Sequence, residues 1–382
     1  MSEYHEYREQ NLLRLAKRVN NTKRSYLLVD PLQGKHIPAD PEEALTMMRS
    51  LGKTIKECRA GRPLVIGFSE TATAIGAVAA AEIGEGCLYI QTTRETDENV
   101  QHWIYFSEEH SHASEQKLCG DGLDQRISQS DYILLVDDEI STGKTILNIV
   151  SAIRKACPAA EHKPFVVASV LNRIAEERLP GFVEQNISFV YLLHLDAEDF
   201  EARVKNVSVQ EAAFSPQHRP EEDESTVERL SSPIPDARRG VTAERYLEAS
   251  RGAAEEILQK VTAGKKEKVL VLGTEEFMFP ALLLARELQK TGTAEGVKFH
   301  ATTRSPIGIC CEPGYPITNG VKLHSFYDKD RVAYLYDLES YDTVIIFTDA
   351  KVPAPEAVND LKRSLKERRC CKVLFFCGND HV

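Results

Sequence analysis

The sequence predicts an α/β protein built as two blocks, the first a parallel sheet with helices on both faces and the second another α/β domain. The first sign is a series of short, fully apolar runs, PLVIGF at 63–68, CLYIQTT at 87–93, YILLVDD at 132–138, FVVASVL at 165–171 and ISFVYLL at 187–193, separated by helical stretches. Strands that are apolar on both faces belong to parallel sheets buried between helices, whereas half-solvated antiparallel strands alternate apolar with polar residues. The second sign is that the pattern stops and then returns as KVLVLG at 268–273, VKFHATT at 297–303, DTVIIFTD at 342–349 and KVLFFC at 372–377. The third is length: 382 residues exceed the size at which one hydrophobic core keeps growing.

Taken in order, residues 4–19 read as an amphipathic helix, SYLLVDPLQGKHIPADP as a short strand and a Gly/Pro-rich turn, and Pro41 to Arg59 as a helix. Strand 63–68 feeds the helix ATAIGAVAAAEIG, strand 87–93 follows, and a long polar stretch from Glu95 to Leu118 carries His102, His110 and His112. Strand 132–138 feeds TILNIVSAIRKAC, and the two last apolar runs complete the block. Periodicity then disappears in QEAAFSPQHRPEEDESTVERLSSPIPDARRG, rich in Pro, Ser and acidic residues, which reads as a linker. The expected organisation is a first domain at 1–208, a linker at 209–245 and a second α/β domain at 246–382.

The blocks echo one another. LVIGFSETATAIGAVAA at 64–80 resembles LVLGTEEFMFPALLLA at 270–285, and each is followed by a strand ending in Thr-Thr-Arg, at Thr92 to Arg94 and at Thr302 to Arg304. DYILLVDDE is answered by YDTVIIFTDA, with Asp349 standing where the second acid stood. A degenerate duplication is the expectation.

Composition narrows the function classes. An apolar content of 42% and a charged content of 27% are those of a globular protein. No run approaches the roughly 18 apolar residues of a membrane span, and the beginning of the chain lacks the apolar core of a signal peptide, so the expected location is the cytoplasm. The nine cysteines include the adjacent pairs Cys310-Cys311 and Cys370-Cys371 and show no metal-finger spacing, which reads as reduced packing thiols. A net charge of -11 disfavours broad nucleic-acid binding.

The chemistry concentrates after the strand Ile133 to Val136. Asp137, Asp138 and Glu139 stand at its carboxyl end, where open α/β sheets bind ligands. Ser141, Thr142, Gly143, Lys144 and Thr145 then lead into a helix, so small residues and a helix N-terminus offer backbone N–H groups to a phosphate. Acids beside a phosphate cradle suit a ligand that also brings hydroxyls, as a ribose 5-phosphate does. A Walker A loop would need Gly five positions before Gly143, and position 138 is Asp. An ordinary strand-turn-helix with capping acids is the plain structural alternative.

The string ILLVDDEISTGKT resembles the signature of type I phosphoribosyltransferases, which bind 5-phosphoribosyl-1-pyrophosphate (PRPP). More narrowly, the chain is similar to the orotate phosphoribosyltransferase-like proteins associated with tellurite resistance and stress response, whose second domain is named for a Thr-Arg-Ser-Pro motif, here Thr303 to Pro306. GKHIP at 34–38 and ARRG at 237–240 extend the similarity over nearly the whole chain. The resemblance implies a type I phosphoribosyltransferase-like sheet domain in which Asp137 and Asp138 hold the ribose hydroxyls and Glu139 and Ser141 to Thr145 line the PRPP loop. It implies Ser69, Glu70 and Thr71 as the pyrophosphate turn, and Arg94 as a cation beside the leaving group or a surface ion pair.

It further implies Mg2+ carried by PRPP and held indirectly through Asp137 and Asp138, a mobile loop within 95–118, and a homodimer. Lys35, His36, Arg239 and Arg304 are acceptor-contact candidates, each with an alternative as an ordinary turn or solvated charge. His110 and His112 read as solvated loop residues rather than zinc ligands. The expected function is transfer of phosphoribose between pyrophosphate and a nitrogenous base or related acceptor; the alternative is a PRPP-sensing regulator without turnover.

Overall fold

The computed structural model describes residues 7–19, 21, 24–107, 116–196, 198–215, 227–261 and 267–379. The chain forms two compact units, each assembled from three segments. Unit 1 comprises Met1–Glu9, Leu45–Glu198 and Pro235–Glu248; unit 2 comprises Gln10–Ala44, Asp199–Ile234 and Ala249–Val382.

Unit 1 is organised by β1 (Pro63–Gly67), α1 (Thr73–Ile83), β2 (Leu88–Gln91), the antiparallel hairpin β3 (Trp103–Phe106) and β4 (Gln116–Cys119), then β5 (Tyr132–Ile140), α2 (Lys144–Ala156), β6 (Phe165–Asn172) and β7 (Ile187–His194). The sheet order is Val241–Thr242, β2, β1, β5, β6, β7. All pairs are parallel except the edge pair of Val241–Thr242 with β2. In β5 the residues Ile133, Leu134, Leu135 and Val136 are each 0% exposed. Burying each such side chain contributes about 1.5–3 kcal/mol, which fixes this strand at the centre. Helix α2 buries Ile146, Ile149, Val150 and Ile153, a single stripe at helical spacing.

Helix α1 differs: it is small and apolar all round, and it lies close against its strand. A Cβ on Gly76 would come within 2.9 Å of the Gly67 Cα, and a Cβ on Gly67 within 2.9 Å of the Tyr89 hydroxyl. The two glycines therefore allow the strand-to-helix turn to be short and its backbone to stand open at the sheet's carboxyl edge.

Unit 2 contains β8 (Lys268–Gly273), α3 (Phe279–Thr291), β9 (Gly296–Ala301), the antiparallel pair β10 (Gly320–His324) and β11 (Val332–Tyr336), β12 (Thr343–Thr348), α4 (Pro355–Glu367) and β13 (Lys372–Asn379). Its all-parallel sheet has the order Glu228–Pro233, β13, β12, β8, β9. The core gathers Leu270, Leu272, Val344, Ile346, Leu361 and Leu365 with Phe326 and Phe375.

The echo seen in the sequence is an identity of topology. The order β2-β1-β5-β6 in unit 1 matches β9-β8-β12-β13 in unit 2, with an antiparallel pair inserted at the same place in each. Registers agree as well: Gly67 pairs with Val136, and Gly273 with Phe347. Thr348 thus corresponds to Asp137, and Asp349 to Asp138.

Three expectations change. Instead of one helix over 4–19, the described residues form a single turn at Glu9–Leu12 and a strand at Arg14–Lys17 that pairs antiparallel with Tyr26–Val29; cross-strand pairing overrides local periodicity there. The segment 209–245 is not only a linker. It supplies edge strands to sheets of both units, Ala213–Phe214 and Glu228–Pro233 in unit 2 and Val241–Thr242 in unit 1, and edge strands tolerate its polar composition. Finally, residues 10–44, expected in the first domain, belong to unit 2, where Ala39 bridges Phe299.

Candidate functional site

At the carboxyl end of unit 1's sheet, β5 continues beyond its buried part through Asp137, Asp138 and Glu139, all half-buried. The Asp137 carboxylate accepts from the Asp138 N–H at 2.9 Å. Glu139 is committed differently: its carboxylate meets the Arg173 guanidinium at 3.4 Å, with both side chains largely buried. Ser141, Thr142 and Gly143 form the bend before α2, and the Thr142 hydroxyl accepts from the Lys144 N–H at 3.3 Å. Gly143 has φ +75, and a Cβ there would lie 2.5 Å from the Phe182 ring. Only glycine meets both conditions, so the tight entry into α2, with its N-terminal N–H groups at the end of β5, depends on this residue.

The neighbouring turn after β1 is held from two sides. The Ser69 N–H donates to Thr92 Oγ1 at 2.8 Å, and Gln116 Nε2 donates to the Ser69 carbonyl at 2.6 Å. The Ser69–Glu70 peptide is cis. Glu70 and Thr71 follow, half-buried, immediately before α1. Because β1 is followed in the sheet by β2 on one side and β5 on the other, this turn and the Asp137–Gly143 loop flank the sheet's switch point, the place where such sheets take ligands.

Two family matches cover most of the chain. Residues 12–194 fit the family described as phosphoribosyl transferase, and residues 236–365 fit the one described as the TRSP domain C-terminal to it. The chain carries a phosphoribosyltransferase domain followed by a TRSP domain. Among solved structures, it is similar to APRTase from Giardia lamblia complexed with 9-deazaadenine, at 16% identity over 47% of this chain and 93% of that one, with a TM-score of 0.32. It is also similar to adenine phosphoribosyltransferase from Rhodothermus marinus, at 14% identity over 49% and 96%, TM-score 0.34. A third is adenine phosphoribosyl transferase from Trypanosoma brucei in complex with AMP, pyrophosphate and ribose-5-phosphate, at 16% identity over 48% and 76%, TM-score 0.32. No curated protein matches the sequence.

Unit 1 of this phosphoribosyltransferase-TRSP chain holds Ser69, Glu70, Thr71, Asp137 to Glu139 and Ser141 to Thr145 on adjacent loops. Arg94 is half-buried just beyond Thr92 and Thr93, whose backbone pairs with Lys117 at 2.9 and 3.0 Å. Arg239 is exposed and ends the short helix Ala237–Arg239 in unit 1, while Arg238 turns inward to Asp236. Lys35, His36 and Arg304 belong to unit 2.

There Lys35 is 0% exposed, and its ammonium donates to the Glu275 carbonyl at 2.6 Å and the Thr302 carbonyl at 2.8 Å. Such a lysine is an internal cross-tie, which corrects the reading of Lys35 as an open acceptor contact. His36 is 2% exposed, too deep for an open turn. Arg304 lies 2.9 Å from Glu276 and 3.8 Å from Glu275, both carboxylates being buried. Its charge is matched inside the unit.

His102 is exposed and its Nδ1 lies 3.0 Å from Asp121; His110 and His112 lie outside the described residues. Among the described residues no group of three or more His, Cys, Asp and Glu side chains is placed to hold a metal. Sequence reasoning missed Gln116, Lys117 and Arg173. The polar stretch around the first two hides the hairpin β3–β4, and only strand register brings Gln116 beside the turn and Lys117 beside Thr93. Lys117 is nearly buried, donating to Thr96 Oγ1 at 2.9 Å, with its ammonium 4.8 Å from the Trp103 ring centre.

Proposed function

We propose that the protein is a PRPP-dependent phosphoribosyltransferase, moving 5-phosphoribose between pyrophosphate and a nitrogenous base or related acceptor. The observation that carries this reading is the Asp137–Asp138 pair at the end of the central strand, followed directly by the Ser141–Gly143 bend and the N-terminus of α2. Carboxylates that accept from the ribose 2- and 3-hydroxyls, beside N–H groups that hold the 5-phosphate, suit a phosphoribose better than they suit either a free sugar or a free phosphate.

In this reading the turn Ser69–Thr71 holds the pyrophosphate of PRPP through its backbone, and Arg94 supplies positive charge near the departing group. Displacement at ribose C1 passes through an oxocarbenium-like state. The chain's contribution is to stabilise the leaving pyrophosphate and to align the nucleophile with C1. Asp137 and Asp138, adjacent half-buried carboxylates, are hard oxygen donors that fit Mg2+ arriving with the substrate, and they would hold it through water and the ribose hydroxyls. That cation, when bound, neutralises charge on the pyrophosphate.

Calorimetric titration with PRPP and Mg2+ tests the site, comparing the native chain with Asp137→Asn/Asp138→Asn. Binding by the native chain that the variant loses supports the assignment, and acceptor-dependent pyrophosphate release then supports the transferase. Native binding without release for any of a panel of bases favours a sensor. Folded native protein that does not bind PRPP sinks the reading.

A further inference from the structure

We infer that Gln116 is a positioning residue for the pyrophosphate turn, fixing the Ser69 backbone and the Thr92 hydroxyl through its side-chain amide. The inference rests on the proposed PRPP site and adds a residue to it. Gln116 is 1% exposed, Thr92 0% and Ser69 6%. Gln116 Nε2 donates to the Ser69 carbonyl at 2.6 Å, while its Oε1 accepts from Thr92 Oγ1 at 2.5 Å and from Ser69 Oγ at 3.3 Å. The Thr92 oxygen in turn accepts from the Ser69 N–H at 2.8 Å. The amide's orientation is decided by its partners. A backbone carbonyl only accepts, so the NH2 end must face Ser69, and the Thr92 hydroxyl proton is left for Oε1. Both backbone groups of Ser69 are thereby tied inside the turn, which fixes the direction in which the chain enters Glu70 and Thr71.

Unit 2 gives an independent reason to assign this role. At the corresponding turn the Glu275 N–H donates to Thr302 Oγ1 at 2.9 Å, and the Glu275 carbonyl receives Lys35 Nζ at 2.6 Å. The strand-end bonds also correspond, Thr92 N to Gly67 O at 2.9 Å and Thr302 N to Gly273 O at 3.1 Å. The same carbonyl thus needs a buried donor in both units, and each obtains it from a different part of the chain. In unit 1 the donor is a neutral amide, which leaves the charge at the turn to Arg94 and to whatever cation the ligand brings.

Gln116→Glu gives a readout that a merely structural role does not move. A protonated glutamic acid reproduces the amide's pattern, donating to the Ser69 carbonyl and accepting from Thr92. The carboxylate cannot donate, and it puts a negative charge beside the pyrophosphate. Burial raises the carboxyl above its usual value of about 4.3, bringing the change into an accessible range.

The ratio of variant to native Kd for PRPP with Mg2+ is measured from pH 5.5 to 8, which cancels the ligand's own titration. The variant is expected to bind about ten-fold or more weakly at pH 8, with the ratio shrinking toward one as pH falls. Gln116→Met, similar in length and without a donor, leaves the buried Ser69 carbonyl without it, so it is expected to lower the ligand-free melting midpoint and, in the folded fraction, to bind weakly at every pH. If Gln116→Met does not fold, the pH dependence of the glutamate ratio decides alone. A flat ratio, or variants within two-fold of native throughout, overturns the inference while leaving the PRPP site standing. Absence of binding by the native chain overturns both.

Discussion

At the end of its central strand unit 1 presents Asp137 and Asp138, half-buried on the chain's way into a glycine bend; the same two register positions in unit 2 are Thr348, fully buried, and Asp349, whose carboxylate receives the Tyr327 hydroxyl at 2.5 Å. Thr348 and Tyr327 both bond to Thr274, at 2.8 and 2.7 Å. The acidic turn of unit 2 is likewise answered from within. Glu275 accepts from Ser325 at 2.5 Å and meets Arg331 at 2.9 Å, while Glu276 meets Arg304 at 2.9 Å. Where unit 1 has the helix-entering bend Ser141–Gly143, unit 2 has Lys351–Ala354 with Pro353 in it and Pro355 opening α4, and proline has no N–H to offer a phosphate. One topology therefore carries two end states: half-buried acids that lead into a glycine bend, and a buried network that joins Thr348 and Asp349 to Thr274 and Tyr327.

The largest expected effect separates these end states directly. Asp137→Asn/Asp138→Asn should weaken PRPP binding by about 1000-fold, roughly 4 kcal/mol, as two charge-assisted bonds are lost. Thr348→Ala/Asp349→Asn should leave affinity within two-fold, with one PRPP per native chain by calorimetry. A second equivalent of PRPP, removed by the unit 2 substitution, would show that the two ends are alike after all. Next, Arg304→Met removes the guanidinium that meets buried Glu276 and should lower unfolding free energy by about 3 kcal/mol, read by denaturant titration. PRPP affinity of the folded fraction should be untouched.

The third effect concerns acid. His300 is fully buried in unit 2, and burial pushes its imidazole down to about 4, against the upward pull of the carbonyls of Tyr336 and Gly34 and of Asp337, with Lys35 adding to the fall. Its folded value lies below the ordinary 6.5, so the unfolded chain binds the extra proton first. The associated stability is complete above about pH 6.5 and declines as pH falls toward 4, by up to about 1.4 kcal/mol per unit. Unit 2 should accordingly lose structure before unit 1 in acid, and His300→Gln should flatten that slope in denaturant midpoints at pH 7 and 5. Least in stability, Gly143→Ala forces a left-handed residue against Phe182. It should destabilise unit 1 by about 1–2 kcal/mol and weaken PRPP binding, with the Gly292→Ala control, whose added Cβ meets nothing within 4 Å, affecting binding not at all.

Much of this was legible in the chain itself. The runs around Ile133–Val136 and Val269–Leu272, alternating with helical stretches, fit the middle of a parallel sheet, where helices cover both faces of a strand. The Asp-Asp-Glu and Ser-Thr-Gly-Lys-Thr string marks its own turn through small residues and a required glycine. The shared topology was visible as paired Gly-x-x-Glu turns and Thr-Thr-Arg strand ends. The hairpins β3–β4 and β10–β11 were not legible. Their strands are only four or five residues long, and one strand of each pair, β4 and β10, carries polar residues such as Lys117, Lys322 and His324, so neither pair shows a sustained apolar run.

The sequence by itself determined which strands are central, where the acids and the glycine bend fall, and that two similar blocks are present, since these depend on burial and on backbone freedom within a few residues. Only the tertiary structure decided that residues 10–44 join the second unit, that Lys35 is a buried cross-tie and Arg304 an internal counter-charge, and that Gln116 reaches Ser69 across 47 positions of chain. Those outcomes depend on which partners meet across the fold, and a buried polar side chain takes its role from the donor or acceptor it meets there rather than from its neighbours in sequence.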